Sequence, residues 1–357
     1  MRRILYRILP LLLLSVCVTR AYGELALFME EPYGEFGAFN PTGHAAVYLS
    51  NICSESPTVL RSCHDGELGV VISRYHKIDG YDWIAVPLLS YLYAVDEVSD
   101  VPATVTPQQE TALRDAYRRK HLESIAPDNA DGTMPGGEWT QLIGGSYIRK
   151  IYGFSVKTTP DQDDAFISFY NDRRNHGHFN LLFHNCADFA VAVVDFYFPH
   201  SLHRNFVADV GVTTPKQIGK SFVKYGKDHP ELDFSVFIIP QAPGTVPRSK
   251  KIDGVVESVV KSKKYILPIA VLNPLVAGGL IVVWASDGRF TPPKNAETLT
   301  PATITDLSKS DDAAPPASQP AHQPMAQPTS APAPQTPPAP AQQPLTPPMP
   351  AQQPSPN

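Results

Sequence analysis

The alternation of apolar and polar runs along the chain predicts several helices with a common start signal. Thr106-Pro107, Thr159-Pro160 and Thr214-Pro215 each place a hydroxyl at the N-cap position and a proline in the first helical turn. The third of these helices is expected to end at Gly226, because glycine most readily adopts the left-handed conformation of a C-cap.

A further helix is predicted to begin at Cys186 and to end before Pro199, since apolar residues recur between them at helical spacing. Strand-like apolar runs cover Ala45 to Leu49, Val70 to Ser73, Trp83 to Val86 and Phe234 to Ile239. Strands and capped helices without a regular strand–helix–strand alternation predict one α+β domain over residues 24–260.

The N-terminus carries the parts of a secretory signal. Three arginines within the first seven residues precede an apolar run from Ile8 to Val18, and Ala21-Tyr22-Gly23 offers a small-residue cleavage site. An uncleaved anchor is the alternative, but the run is well short of the ~20 residues of a spanning helix. We therefore expect residues 1–23 to be a signal peptide and the exported chain to begin near Glu24.

A second apolar stretch, Tyr265 to Ala285, follows the basic segment Lys261-Ser262-Lys263-Lys264. Its length matches the ~20 residues of a membrane-spanning helix, which predicts an anchor in the inner membrane over residues 265–285. The alternative is an interfacial or domain-packed hairpin. It arises because export would leave the lysines outside the membrane, against their usual cytoplasmic bias.

Beyond Asp287 the composition changes to proline, alanine, glutamine, serine and threonine, with no aromatic residue after Phe290. Such a segment cannot bury enough apolar surface to fold, so residues 287–357 are predicted to be a disordered tail. The tail is expected to be an extended spacer, with a ligand for a protein partner as the alternative.

Charge and cysteine content narrow the function. With 30 basic and 35 acidic residues, the chain offers no cationic surface large enough for nucleic acid as a partner. Removal of the signal leaves Cys53, Cys63 and Cys186. Cys53 and Cys63 flank a turn-like segment and can close a short loop in an oxidising compartment, which leaves Cys186 as the expected free thiol.

The segment around Cys186 is the main candidate for chemistry. Asn185 is the expected N-cap, and the unpaired amides and positive dipole end of the helix favour a thiolate at Cys186. The competing interpretation is a small cysteine that only packs the helix start. Against it, His44 follows Gly43 at a strand start and can supply a base, although a single histidine is more often structural.

Together these residues resemble a known arrangement. Gly43-His44 on an early strand and Asn185-Cys186 opening a later helix look like the circularly permuted papain-like hydrolases, which include the lecithin retinol acyltransferase group and permuted NlpC-type peptidases. The aromatic-rich run ending in Asn-Cys is similar to the Lnb-type N-terminal periplasmic domain family. The resemblance covers residues 24–260 and implies a small antiparallel sheet packed on helices.

The same resemblance implies a thiol hydrolase or acyl transferase that acts on an amide, ester or thioester in the periplasm or cell envelope. Cys186 would be the nucleophile and His44 the base. A third residue, normally on the next strand, orients the imidazole and sets its tautomer. The candidates are His64, Glu67, Ser73 and His76. His76 is our choice and Glu67 is next.

Two alternatives stay open. His176, His178, His184 and Cys186 offer imidazoles and a thiolate that suit zinc. A polar loop leading into the helix is the favoured interpretation of that segment, and no metal or cofactor is expected. The other alternative is a non-catalytic, membrane-tethered envelope scaffold that binds lipid, glycan or protein. Its Cys186 thiol would be inert at neutral pH.

Overall fold

The computed structural model describes residues 22–34, 41–76, 78, 80–293 and 296–305, all of which belong to one compact unit. Almost all of the predicted signal peptide and most of the predicted tail lie outside these residues.

A seven-stranded sheet forms the centre of the fold, in the spatial order β6-β5-β2-β1-β7-β8-β9. The strands are β1 (Gly23–Glu30), β2 (His44–Leu49), β3 (Ile52–Ser56), β4 (Val59–Ser62), β5 (Val70–Ser73), β6 (Ile84–Pro87), β7 (Ile151–Thr158), β8 (Ser235–Ile239) and β9 (Glu297–Thr298). Neighbours in this sheet are antiparallel except β8 and β9, and β3 pairs with β4 in a separate hairpin.

Helices cover both faces of the sheet. They are α1 (Leu88–Tyr93), α2 (Pro107–His121), α3 (Gly145–Ile148), α4 (Pro160–Asp172), α5 (Cys186–Tyr197), α6 (Pro215–Asp228), α7 (Val255–Lys261), α8 (Lys263–Leu272) and α9 (Pro274–Val283). Because successive strand residues face opposite sides, Leu25 and Leu27 pack with α4, α5 and α6, whereas Ala26 and Phe28 pack with α1 and α3. The α+β class is confirmed, and the sheet is larger than the small one expected.

The predicted helix starts are confirmed. Thr106, Thr159 and Thr214 each accept a hydrogen bond from the backbone amide three residues later. The predicted end at Gly226 is wrong, because α6 continues to Asp228. Gly226 instead allows the Phe234 ring to pack directly on the helix backbone, since a Cβ at position 226 would lie 2.2 Å from that ring.

The C-terminal apolar stretch is not one helix. Pro274 has no amide hydrogen to donate, so it cannot continue α8. Asn273 before it leaves the helical conformation, with φ −151°, and a second helix, α9, begins at Pro274. Within the described part of the chain, no helix combines the length and the apolar character needed to cross a membrane. The predicted spanning helix over residues 265–285 is therefore corrected to two ten-residue helices.

Part of the predicted tail is ordered. Strand β9 pairs with β8, and the side chains of Leu299 and Ile304 are buried in the domain. The boundary expected at residue 287 therefore lies too early, because scattered apolar residues downstream of it complete the sheet and its core.

Cys53 and Cys63 form a disulfide across the β3–β4 hairpin, with a sequence separation of 10. Because a crosslink of this loop size restricts the unfolded chain, replacing both cysteines by serine is expected to lower the free energy of unfolding by about 3 kcal/mol. Urea unfolding of the double variant measures this loss, and dithiothreitol should leave the variant unchanged. A loss below about 0.5 kcal/mol would show that the crosslink does not restrict the unfolded state.

Candidate active site

Asn185 holds the start of α5, as predicted. Its side-chain oxygen accepts hydrogen bonds from the amides of Ala187 at 2.8 Å and Asp188 at 3.0 Å. Its side-chain nitrogen donates to the carbonyl oxygens of Leu181 and Thr213, each at 3.0 Å. The first turn of the helix is thereby fixed to the two loops beside it.

The Cys186 thiol lies in that first turn and is buried. Burial raises its pKa from the ordinary 9.0 to about 11, although the backbone amides of Ala45 and Ala187 point at the sulfur and lower it. The expectation of a favoured thiolate therefore has the wrong direction. Loss of hydration outweighs the helix amides, so the resting thiol keeps its proton at neutral pH.

His44 opens β2 and is held by Ser73 of β5. The Ser73 Oγ lies 3.1 Å from His44 Nε2 and donates its proton to the Ala45 carbonyl oxygen at 2.7 Å. Since the hydroxyl has a single proton, the Oγ can only accept from the imidazole. We therefore assign the hydrogen of neutral His44 to Nε2, which leaves Nδ1 as a free base.

The surroundings of His44 favour its neutral form. Its ring stacks on Tyr75 with centroids 5.0 Å apart. Burial lowers the pKa of His44 well below its usual value, and the positive charge of Arg149 lowers it further. At neutral pH the imidazole is therefore able to accept a proton.

The depressed pKa of His44 predicts an acid-sensitive fold. Below pH 6.5 the unfolded chain binds a proton at this residue that the folded chain does not bind, so stability falls as the pH falls. The expected slope is up to about 1.4 kcal/mol per pH unit, and His44→Asn should flatten the profile. Urea unfolding between pH 4 and 8 measures it, with exposed His178→Asn as the matched control. Equal profiles for both variants would contradict the assignment.

Among the described residues, the other candidates for the orienting residue do not contact the His44 ring, which is held by Ser73 and stacks on Tyr75. His76 is exposed and its ring lies against Phe179, with centroids 5.5 Å apart. Glu67 is paired with Arg61 at 2.7 Å and accepts the His64 amide. The role assigned to His76 stays a prediction, and the observed contact with His44 favours Ser73.

A buried ion pair beside His44 was not found by sequence reasoning. Glu30 lies opposite His44 in the β1–β2 register and binds Arg149 Nη1 at 2.9 Å and the Tyr91 hydroxyl. Burial raises the pKa of Glu30, and Arg149 opposes this effect. Within the described part of the chain, Arg149 Nε is buried without a hydrogen-bond partner. The one sequence signal was a carboxylate ending an otherwise apolar run, Leu25 to Met29.

Cys186, His44, His76 and Arg149 line one cavity of about 440 Å³, and its lining also includes the apolar side chains of Leu181 and Val212. Among the described residues, no hydrogen bond joins the Cys186 sulfur to the His44 ring. The sulfur instead contacts the backbone of Ala45, the residue after His44. The cavity therefore brings together a thiol, a neutral base and a cation.

The zinc alternative is not assembled. His184 Nε2 lies 3.2 Å from Asp82, and the His176 ring stacks on Tyr81. In the described ranges, the side chains close enough to share a metal ion are Cys53, Cys63 and Glu67. Those sulfurs form the disulfide, so they are not available as thiolate ligands.

The fold and cavity define an α+β protein with a buried thiol and a neutral histidine in one pocket. Comparison with models of protein families and with curated proteins finds no match. Among solved structures, the chain is similar to the crystal structure of a type VI secretion system effector, TseH, at 14% identity. That match covers 60% of this chain and 97% of the other, with a TM-score of 0.27, a value too low to support an argument.

Proposed function

We propose that this chain is a cysteine-dependent hydrolase or acyl transferase of the permuted papain-like type, acting on an amide, ester or thioester in the cell envelope. The observation that carries the proposal is the cavity shared by Cys186 at a helix start and by His44, whose Nε2 is bonded to Ser73. A histidine strand that precedes the cysteine helix is the order expected of the permuted form.

The reaction would begin with the protonated Cys186 thiol and the uncharged His44 imidazole, here called the neutral pair. His44 Nδ1 takes the thiol proton as the Cys186 sulfur attacks the substrate carbonyl, and the bond to the leaving group then breaks as that group receives the proton. Water or another acceptor next attacks the acyl carbon and gives its proton to His44. The carbon–sulfur bond then breaks, and that proton returns to the Cys186 sulfur. Such base catalysis contributes about 10²–10⁴ in rate.

The developing negative charge on the substrate oxygen needs a partner. The backbone amides at the start of α5 are only partly available for this task, because the Asn185 side chain already accepts hydrogen bonds from those of Ala187 and Asp188. We assign the role to Arg149, whose Nε is unpartnered among the described groups and whose side chain lines the cavity. Its charge also lowers the pKa of Cys186.

The test is acyl transfer from a set of p-nitrophenyl esters and acyl thioesters to the chain that begins at Glu24, followed by intact mass. The expected signal segment is omitted because it carries a further thiol, Cys17. Wild type should gain one acyl mass that peptide mapping places on Cys186, and Cys186→Ala should gain none. In His44→Ala, Cys186 should be acylated about 10²- to 10⁴-fold more slowly. Equal turnover in wild type and both variants would remove the enzyme proposal.

Ser73 and His76 give a matched comparison for the orienting role. Ser73→Ala removes the acceptor that holds the Nε2 proton, so acylation is expected to slow by about 10- to 100-fold and its pH dependence to change. His76→Ala removes a ring that lines the cavity but packs on Phe179 rather than on His44, so acylation should stay within about twofold of wild type. The pH profile of acylation distinguishes the two, and the reverse order would restore His76 to the role.

A non-catalytic binding domain is the second candidate. The raised pKa of Cys186 and the lack of a hydrogen bond from its sulfur to His44, among the described residues, favour it. A domain of this kind would bind an apolar ligand in the cavity without acylation. Reversible binding of the same esters, unchanged in Cys186→Ala, would support this candidate.

A further inference from the structure

We propose that α8 and α9 form a hairpin that inserts into one leaflet of a lipid bilayer. The two helices pack on each other, and the turn after α9, Trp284–Gly288, returns to α7. The hairpin therefore starts and ends at the same side of the domain. This inference stands apart from the proposed catalytic activity.

The far end of the hairpin exposes large apolar side chains. Val271, Leu272 and Leu275 are 83%, 84% and 87% exposed. Further exposed apolar side chains along the two helices are Leu267, Val276, Ile281 and Val282. Residues 265–283 include no charged residue. A contiguous apolar surface of this kind is unfavourable in water and marks an interaction site.

The dimensions fit one leaflet. Each helix has ten residues, which corresponds to about 15 Å at 1.5 Å per residue. The hydrocarbon core of a bilayer is about 30 Å thick, so the hairpin reaches the middle without crossing.

Several backbone groups of the turn at the far end are paired within the hairpin, as hydrocarbon requires. The Asn273 amide donates to Ile269, and its carbonyl oxygen accepts from the Ala277 amide. The Asn273 side chain accepts from the Val276 amide at 3.2 Å. Pro274 has no amide to satisfy. The turn can therefore enter lipid without leaving these donors unpaired.

The end of the hairpin nearest the domain carries the groups that favour a membrane surface. Lys264 Nζ lies 5.7 Å from the Tyr265 ring, where the apolar segment begins, and the Arg289 guanidinium lies 4.7 Å from the Trp284 ring, where it ends. Aromatic rings and cations occupy the headgroup region of bilayers. Together with exposed Lys263, these cations favour anionic lipid.

The end of the hairpin nearest the domain is fixed beside the cavity. The Val255 amide of α7 donates to Asp209 at 2.6 Å, and Lys220 binds Asp287 at 2.6 Å after α9. The loop that includes Asp209 exposes Phe206 at 74% and Val210 at 68%. Val255 also lines the cavity. Insertion of the hairpin would thus bring the cavity close to the lipid surface.

Flotation of the chain that begins at Glu24 with phosphatidylcholine vesicles, with and without about 30% phosphatidylglycerol, tests this inference. The expected signal segment is omitted because its own apolar run could bind lipid. Wild type should float, and more so with the anionic lipid. Leu272→Asp/Leu275→Asp should reduce the bound fraction at least tenfold, because both side chains are exposed and would carry charge into hydrocarbon. Val59→Asp/Met134→Asp, at exposed sites outside the hairpin, is the matched control and should float as wild type does.

Lys263→Glu/Lys264→Glu should lose the preference for anionic lipid but still bind. Depth is measured with Leu272→Trp and lipids brominated at different acyl positions, and quenching should be strongest for bromine near the bilayer centre. The inference is overturned if wild type does not float. It is also overturned if the aspartate pair floats equally, or if light scattering shows that the pair instead dissociates an oligomer formed without lipid.

Discussion

Iodoacetamide is expected to alkylate Cys186 about 100-fold more slowly at pH 7.5 than it alkylates a thiol of ordinary pKa 9.0. Burial raises the Cys186 pKa to about 11, and only the thiolate reacts, so the higher pKa lowers the thiolate population about 100-fold. The rate should rise about tenfold per pH unit through pH 10 without a plateau. Intact-mass kinetics of the chain that begins at Glu24, with the Cys53–Cys63 disulfide retained, measure it.

The control is the same chain in urea, where hydration returns the thiol to its ordinary value and the rate at pH 7.5 should recover. Fast labelling of the folded chain with an inflection below pH ~8.5, removed by His44→Ala, would contradict the neutral pair. That outcome would mean that a thiolate–imidazolium pair exists before substrate binds. Slow labelling joined with acylation by esters would show that His44 acts only as the bond forms.

Arg149→Met is expected to lower the free energy of unfolding by about 3–5 kcal/mol, because it leaves the buried Glu30 carboxylate without its cation. Glu30 and Arg149 have side chains only 1% and 3% exposed. Glu30→Gln/Arg149→Met removes both charges and should recover most of the loss. Urea unfolding at pH 7 of the wild type, both single variants and the double variant measures the coupling.

The matched control is Arg61→Met, since the Arg61–Glu67 pair has the same chemistry but side chains 30% and 34% exposed. Solvent screens that pair, so Arg61→Met should lower the free energy of unfolding by no more than about 1 kcal/mol. Two results would contradict a stabilising role for the buried Glu30–Arg149 pair. One is that Arg149→Met lowers the free energy of unfolding no more than Arg61→Met does, and the other is that the double variant is no more stable than Arg149→Met.

Local signals in the sequence were sufficient for several elements. The Thr-Pro helix starts, the Asn185 cap and the strands now numbered β2, β5, β6 and β8 depend on neighbours within a few positions, and all are present. Strands β1 and β7 were not predicted. Strand β1 lies in the middle of the sheet and is buried on both sides, so its apolar run Leu25 to Met29 lacks the alternation that identifies a half-exposed strand.

The sequence by itself therefore determined the α+β class, the helix caps and the pair of motifs that hold His44 and Cys186, because these follow from short-range pattern and chemistry. Only the tertiary structure decided that Ser73 contacts His44 and that Arg149 reaches Glu30, 119 positions away in the chain. The same holds for the Cys186 pKa. The helix start favours a thiolate locally, but loss of hydration in the assembled core is larger, and burial is a property of the whole fold.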